Sequence, residues 1–246
     1  MEKLYVMCYT KTQITNDKDS VMNKDLLEIS DGKLYGNNDM VKVSCHDCAG
    51  CSSCCQEMGD SIWLDPYDVF QLTVNLGATM EDLLAKEVEL HVEDRLILPN
   101  IKMVGDGMPH CSFLDEAGRC SIHAFRPGFC RLFPLGRNYD GDKIEYFVLK
   151  DACPAPNKSK VKINKWLGVP NLKAYENFLV KWHALTKALR NCYEENAQEE
   201  EAIKTVNIKF MQIFYLTPYE DADFYPQFES RMQQMNKILD ALGIHL

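Results

Sequence analysis

The sequence predicts a chain that is mainly α with a small β component: a cysteine-rich core followed by a helical C-terminal region. Three observations predict this. Nine of the eleven cysteines fall between Cys45 and Cys153. Residues 171–194 carry Leu172, Tyr175, Phe178, Leu179, Trp182, Leu185, Leu189 and Tyr193 at helical spacing, without an internal Gly or Pro. Only two short runs, 95–98 and 144–149, have the β-branched and aromatic content of strands.

Taken in order, residues 1–44 form a leader segment with turn signals in DGKLYGNND and a short strand or helix at 25–29. The stretch from Cys45 to Cys55 is too crowded for a regular element. Asp65 reads as an N-cap with Pro66 at the first helical position, and Gly77 ends that helix. Thr79 opens a second helix with Asp82 three residues on and Leu83, Leu84 and Val88 turned inward. The two strand-like runs are expected to pair with each other. The basic run KSKVKINK at 158–165 is expected to be a solvated helix face. Beyond it, helices are expected at 171–194, at 200–216 before Pro218, and at 228–242 before Gly243. Residues 45–156 and 157–246 are thus expected to form a cysteine-cluster domain and a helical region packed on it.

A disulfide framework is the plain alternative for so many cysteines, but residues 1–19 read as too polar, with too short an apolar run, for a signal peptide, and no stretch is apolar enough to span a bilayer. The expected compartment is the cytoplasm, where thiols stay reduced. Apolar content of 46% can build an ordinary core without help from sulfur. Clustered thiolates repel one another unless a cation holds them, so the cysteines read as metal ligands. C-x2-C occurs three times in overlap, at Cys45/Cys48, Cys48/Cys51 and Cys51/Cys54. Four such ligands suit tetrahedral zinc or an iron–sulfur cluster, and the C-x2-C-x2-C run with a distant Cys-Pro leans slightly toward the cluster. The adjacent Cys54 and Cys55 point either to two neighbouring centres or to one ligand and one structural thiol. His46 and His123 are substitute ligands, whereas Cys8 and Cys192 are ordinary thiols. Arg119, Arg126, Arg131 and Arg137 can offset thiolate charge and hydrogen-bond to sulfur.

Net charge is −9, and residues 41–153 hold ten Lys and Arg against eighteen Asp and Glu. An acidic surface of this kind does not track phosphates, so no nucleic-acid partner is expected, and no membrane.

The motif CAGCSSCC at 48–55, paired with CSFLDEAGRCSIHAFRPGFC at 111–130 and running on through Arg131, Leu132, Phe133 and Pro134, resembles the YkgJ-type cysteine-cluster family. That family is a CxxCxxCC domain described as zinc- or iron-chelating and related to a domain of flagellin lysine N-methylases. The resemblance covers residues 45–154. It implies that Cys48, Cys51, Cys54, Cys55, Cys111, Cys120, Cys130 and Cys153 bind the metal, with Cys45 outside the pattern. The expected cofactor is an iron–sulfur cluster or zinc. Two further readings follow: methyl transfer from S-adenosylmethionine to a protein substrate, or a redox or metal-handling role. The first lacks a Gly-rich strand-to-helix loop to cradle its cofactor.

Overall fold

Helix outweighs strand, and every sheet has two antiparallel strands, in a computed structural model that describes residues 24–44, 51–196 and 199–244. No described helix is long and apolar enough to cross a membrane. After α1 (Lys24–Ile29) comes β1 (Met40–Ser44), which buries Val41 and Val43 and turns Met40 and Lys42 to solvent. Its partner is β8 (Ser159–Lys162), with Met40 opposite Lys162 and Ser44 opposite Ser159. This corrects the reading of the basic run as one helix face. Its first half completes the β1 ladder, and only α5 (Ile163–Leu167) is helical.

The two predicted caps both form. Asp65 opens α2 (Pro66–Leu76) and Thr79 opens α3 (Met80–Lys86), each by a reciprocal capping box with an aspartate three residues on. Gly77 closes α2 in the left-handed conformation. Val88 is buried as expected, but it begins β2 (Val88–Glu93) rather than ending α3.

The strand-like runs find nearer partners than each other. The first lies in β3 (Leu96–Ile101), which pairs with β2 across a two-residue turn at Asp94 and Arg95. Both turn residues have positive φ, 46° and 67°, the requirement of a type I′ hairpin. The second lies in β7 (Lys143–Val148), which pairs with β6 (Leu135–Asp140) across Gly141 and Asp142. Closing a two-residue loop costs far less entropy than joining strands some forty residues apart. A fourth pair, β4 (Met103–Val104) with β5 (His110–Cys111), and the short α4 (Gly128–Leu132) complete this half.

Three long helices follow. They are α6 (Leu172–Glu195), α7 (Glu200–Met211), which runs into one π turn at Gln212–Leu216, and α8 (Phe224–Ala241). The last begins four residues earlier than its apolar spacing suggested. Asp223 caps it by accepting from the Tyr225 N–H at 3.2 Å, and Pro226 falls in the first turn, where a missing N–H is harmless.

These helices close over Phe178, Trp182, Phe210, Phe214, Phe224 and Phe228, all buried and in mutual ring contact. Each such burial stabilises by about 1.5–3 kcal/mol. Buried Arg231 caps the π turn by donating to the carbonyls of Ile213, Thr217 and Pro218. The core is continuous with the first half: Tyr215 donates to the Leu64 carbonyl at 3.0 Å, and Asn207 bonds the backbone of Arg95 and Ile97.

Candidate metal centre

The first motif ends in a single 3-10 turn, Ser53–Cys55, closed by the Cys55 N–H on the Ser52 carbonyl at 2.8 Å. The chain then takes a left-handed step at Glu57 (φ 55°), whose N–H donates to the Pro109 carbonyl at 2.7 Å. Gln56 bridges to His110, directly before Cys111. These backbone bonds carry Cys54 and Cys55 to the strand that bears Cys111.

The second motif folds back on itself. Leu114 bridges to Cys120, and Asp115 and Arg119 bond across the intervening turn, whose Gly118 has positive φ. Ser121 donates to the Phe113 carbonyl through both its N–H and its hydroxyl. Cys111 and Cys120 are thereby held at the base of one loop. A second 3-10 turn, His123–Phe125, leads to α4, which carries Cys130 in its first turn.

Four thiols from three loops therefore lie within electrostatic reach of one another. Burial pushes the Cys111 thiol up to about 11, aided by Cys120 and Cys54. Burial also raises Cys130, well above the ordinary thiol range, with Cys111, Cys54 and Cys120 adding to it. Cys54 is raised by its hydrogen bond with Cys55, then by burial and the charges of Cys55 and Cys51. Cys120 is raised by burial, while Arg126 and Arg119 pull it back. Each thiolate makes the next harder to form, a repulsion that a bound cation would offset. Cys51 behaves differently: the backbone and hydroxyl of Ser53, 3.6 Å from its sulfur, lower its pKa.

Among the described residues, no three His, Cys, Asp or Glu side chains stand close enough to hold a metal ion as placed. The thiols converge on one region without closing a coordination shell. Soft, unpaired sulfur donors, all of them free thiols, fit zinc or an iron–sulfur centre by their chemistry. Such a group, when bound, would supply the positive charge that lets these thiols ionise together. Of the remaining candidates, Cys55 packs against the core, and Cys153 sits past β7 with its carbonyl accepting from Lys158 at 2.6 Å. Cys45, His46 and Cys48 lie outside the described residues. His123 faces Arg126, whose guanidinium is 3.2 Å from its Nδ1 and 2.7 Å from its carbonyl oxygen. Cys192 lies on α6, away from both motifs in the chain.

The arginines divide by task. Arg119 and Arg126 act on Cys120 through their charge. Arg131 instead reaches the carbonyls of Ala124, Arg126 and Leu167. Arg137 bonds the Tyr175 hydroxyl at 3.2 Å and belongs to a buried polar group that sequence reasoning missed. That group comprises Asp65, Asp68, Arg137 and Tyr175. Burial raises the pKa of both aspartates, and for Asp68 the charge of Asp65 adds to it. Asp68 in turn raises Cys130 slightly, which places the group beside the thiols. Only the capping pattern of Asp65 and Asp68 hinted at it in the sequence.

No curated protein and no solved structure matches the chain. A family model does: CxxCxxCC, described as a "Putative zinc- or iron-chelating domain", matches residues 47–154. The matched interval holds all the thiols brought together above. Residues 47–154 are thus similar to the CxxCxxCC family.

Proposed function

We propose that this protein binds zinc or an iron–sulfur cluster in the cytoplasm through Cys48, Cys51, Cys54, Cys55, Cys111, Cys120, Cys130 and Cys153. Cys54, Cys111, Cys120 and Cys130 form the principal centre. The carrying observation is that these four thiols, from three segments of the chain and none of them in a disulfide, lie close enough for Cys54 to raise the pKa of Cys111, Cys120 and Cys130, with Cys111 and Cys120 adding to Cys130. A cation reverses that repulsion. Bound there, it would also cross-link the first motif, the 111–120 loop and α4, adding to their backbone bonds and shared core contacts. Structural zinc contributes on the order of 10–16 kcal/mol, as much as the whole stability of a domain. Binding requires the thiols to shed protons, so uptake strengthens as pH rises.

Anaerobic purification with elemental analysis and a visible spectrum tests the reading. Broad visible absorption with iron and sulfide identifies a cluster, and a colourless protein holding zinc identifies the other metal. Replacing any one of Cys54, Cys111, Cys120 or Cys130 with Ser should remove most of the metal, whereas Cys192→Ser should remove none. Full metal content in the four variants would refute the assignment.

A further inference from the structure

The helix that carries Cys130 begins without a capping group of its own. The residue before α4 is Pro127, which has no side-chain acceptor, and no local side chain caps the helix. A first-turn N–H with no partner is costly when buried, and Gly128 is buried. Its N–H is instead taken by Asp68 Oδ1 at 2.7 Å, from sixty residues away. The same carboxylate uses Oδ2 to accept the Asp65 N–H at 3.1 Å, closing the capping box of α2. One side chain, itself 3% exposed, thus caps two helices at once.

The joint leaves no slack. A Cβ on residue 128 would collide with the Tyr175 hydroxyl, and would also lie 3.5 Å from Asp68 Oδ1 and 3.6 Å from Arg137 Nη2. Only glycine lets the backbone approach this group closely enough for the bond to form. Two residues further on stands Cys130. Asp68 therefore fixes the origin of α4, and with it the point from which the Cys130 sulfur is offered.

We propose that Asp68 is a positioning residue for the metal centre, holding Cys130 in place to meet Cys54, Cys111 and Cys120 through its bond to the Gly128 N–H. The inference rests on the metal-binding reading above. Groups that orient a ligand typically change metal affinity 10- to 100-fold when removed. Asp68→Asn keeps the shape but surrenders one of the two acceptors. Thr79→Ala is the matched control, because it breaks the equivalent capping box of α3, which carries none of the cysteines.

The test is Zn²⁺ competition against a chromophoric chelator on the full chain, with alkylation of each cysteine followed by mass spectrometry. Asp68→Asn is expected to weaken Zn²⁺ binding about 10- to 100-fold and to make Cys130 the first of the four thiols alkylated in the loaded protein. Thr79→Ala should lower Tm without either effect. Equal Zn²⁺ affinity in wild type and Asp68→Asn overturns the role of Asp68 alone. A wild-type chain that takes up neither Zn²⁺ nor iron with sulfide overturns the metal reading together with it. Should Asp68→Asn fail to fold, hydrogen exchange on the wild-type chain decides: a slow Gly128 amide is expected, and a fast one refutes the joint.

Discussion

The two halves of this molecule share one apolar core but are built from different elements. In the C-terminal half, three long helices bury six large aromatic side chains against one another, and the geometry follows from hydrocarbon leaving water. The cysteine half is assembled from two-stranded ladders, single turns and three helices of eleven, seven and five residues. An isolated two-stranded ladder is marginal at best. Its segments are tied by individual hydrogen bonds such as Glu57 to Pro109 and Gly128 to Asp68. A metal bound as proposed would add its cross-link at the loop-rich end, beside the packing of Phe113, Ile122 and Phe129 in the shared core.

The sharpest way to break this contrast is to strip the metal. Chelation of the loaded protein should speed amide exchange across residues 51–154 while α6, α7 and α8 keep their protection, an effect on the order of 10 kcal/mol. A uniform rise over the whole chain would make the two halves one cooperative unit.

The converse test lies in the helical half. Phe214 is fully buried against Trp182, Phe210 and Phe228, so Phe214→Ala should cost about 3–5 kcal/mol in denaturant unfolding. Bound metal per folded chain should not change, and a parallel loss of metal would erase the distinction.

The smallest effect probes the seam. His183 of α6 stacks on Tyr139 of β6, with ring centroids 4.0 Å apart and planes 5° from parallel. Burial, then the charges of Lys187 and Arg190, lowers its pKa from 6.5 to about 4. The folded state therefore prefers the neutral ring. The stability this confers is complete above pH 6.5 and is lost as pH falls toward 4, by about 2 kcal/mol after allowing for partial exposure. His183→Gln should flatten that part of the pH–stability curve, and an unchanged slope would remove His183 from the account.

Legibility in the sequence followed the range of each interaction. Asp65 with Pro66, Thr79 with Asp82, and Gly77 announce helix ends because a cap is decided within four residues. The 24-residue α6 is visible because its apolar stripe repeats without interruption. The β1–β8 ladder was invisible, since Ser44 and Ser159 meet only through the fold and the lysines between read equally well as a helix face. The same division holds at the site. Cysteine density alone predicts metal chemistry, but nothing local says that Cys54 comes within electrostatic reach of Cys111, Cys120 and Cys130. Nor does spacing reveal that Asp68 reaches Gly128.

The β1–β8 ladder also governs how the chain would respond to tension. Met40 and Lys162 face each other at the end nearer both termini, and Ser44 and Ser159 at the end nearer the cysteines. Pulled apart from its extremities, the ladder would open like a zip, rung by rung, with little resistance at each step. Ahead of it Tyr35 bridges to Tyr146 and Ser30 to Leu149, so a pull from the N-terminal side would load the end of the sulfur-bearing segment first and the clasp second.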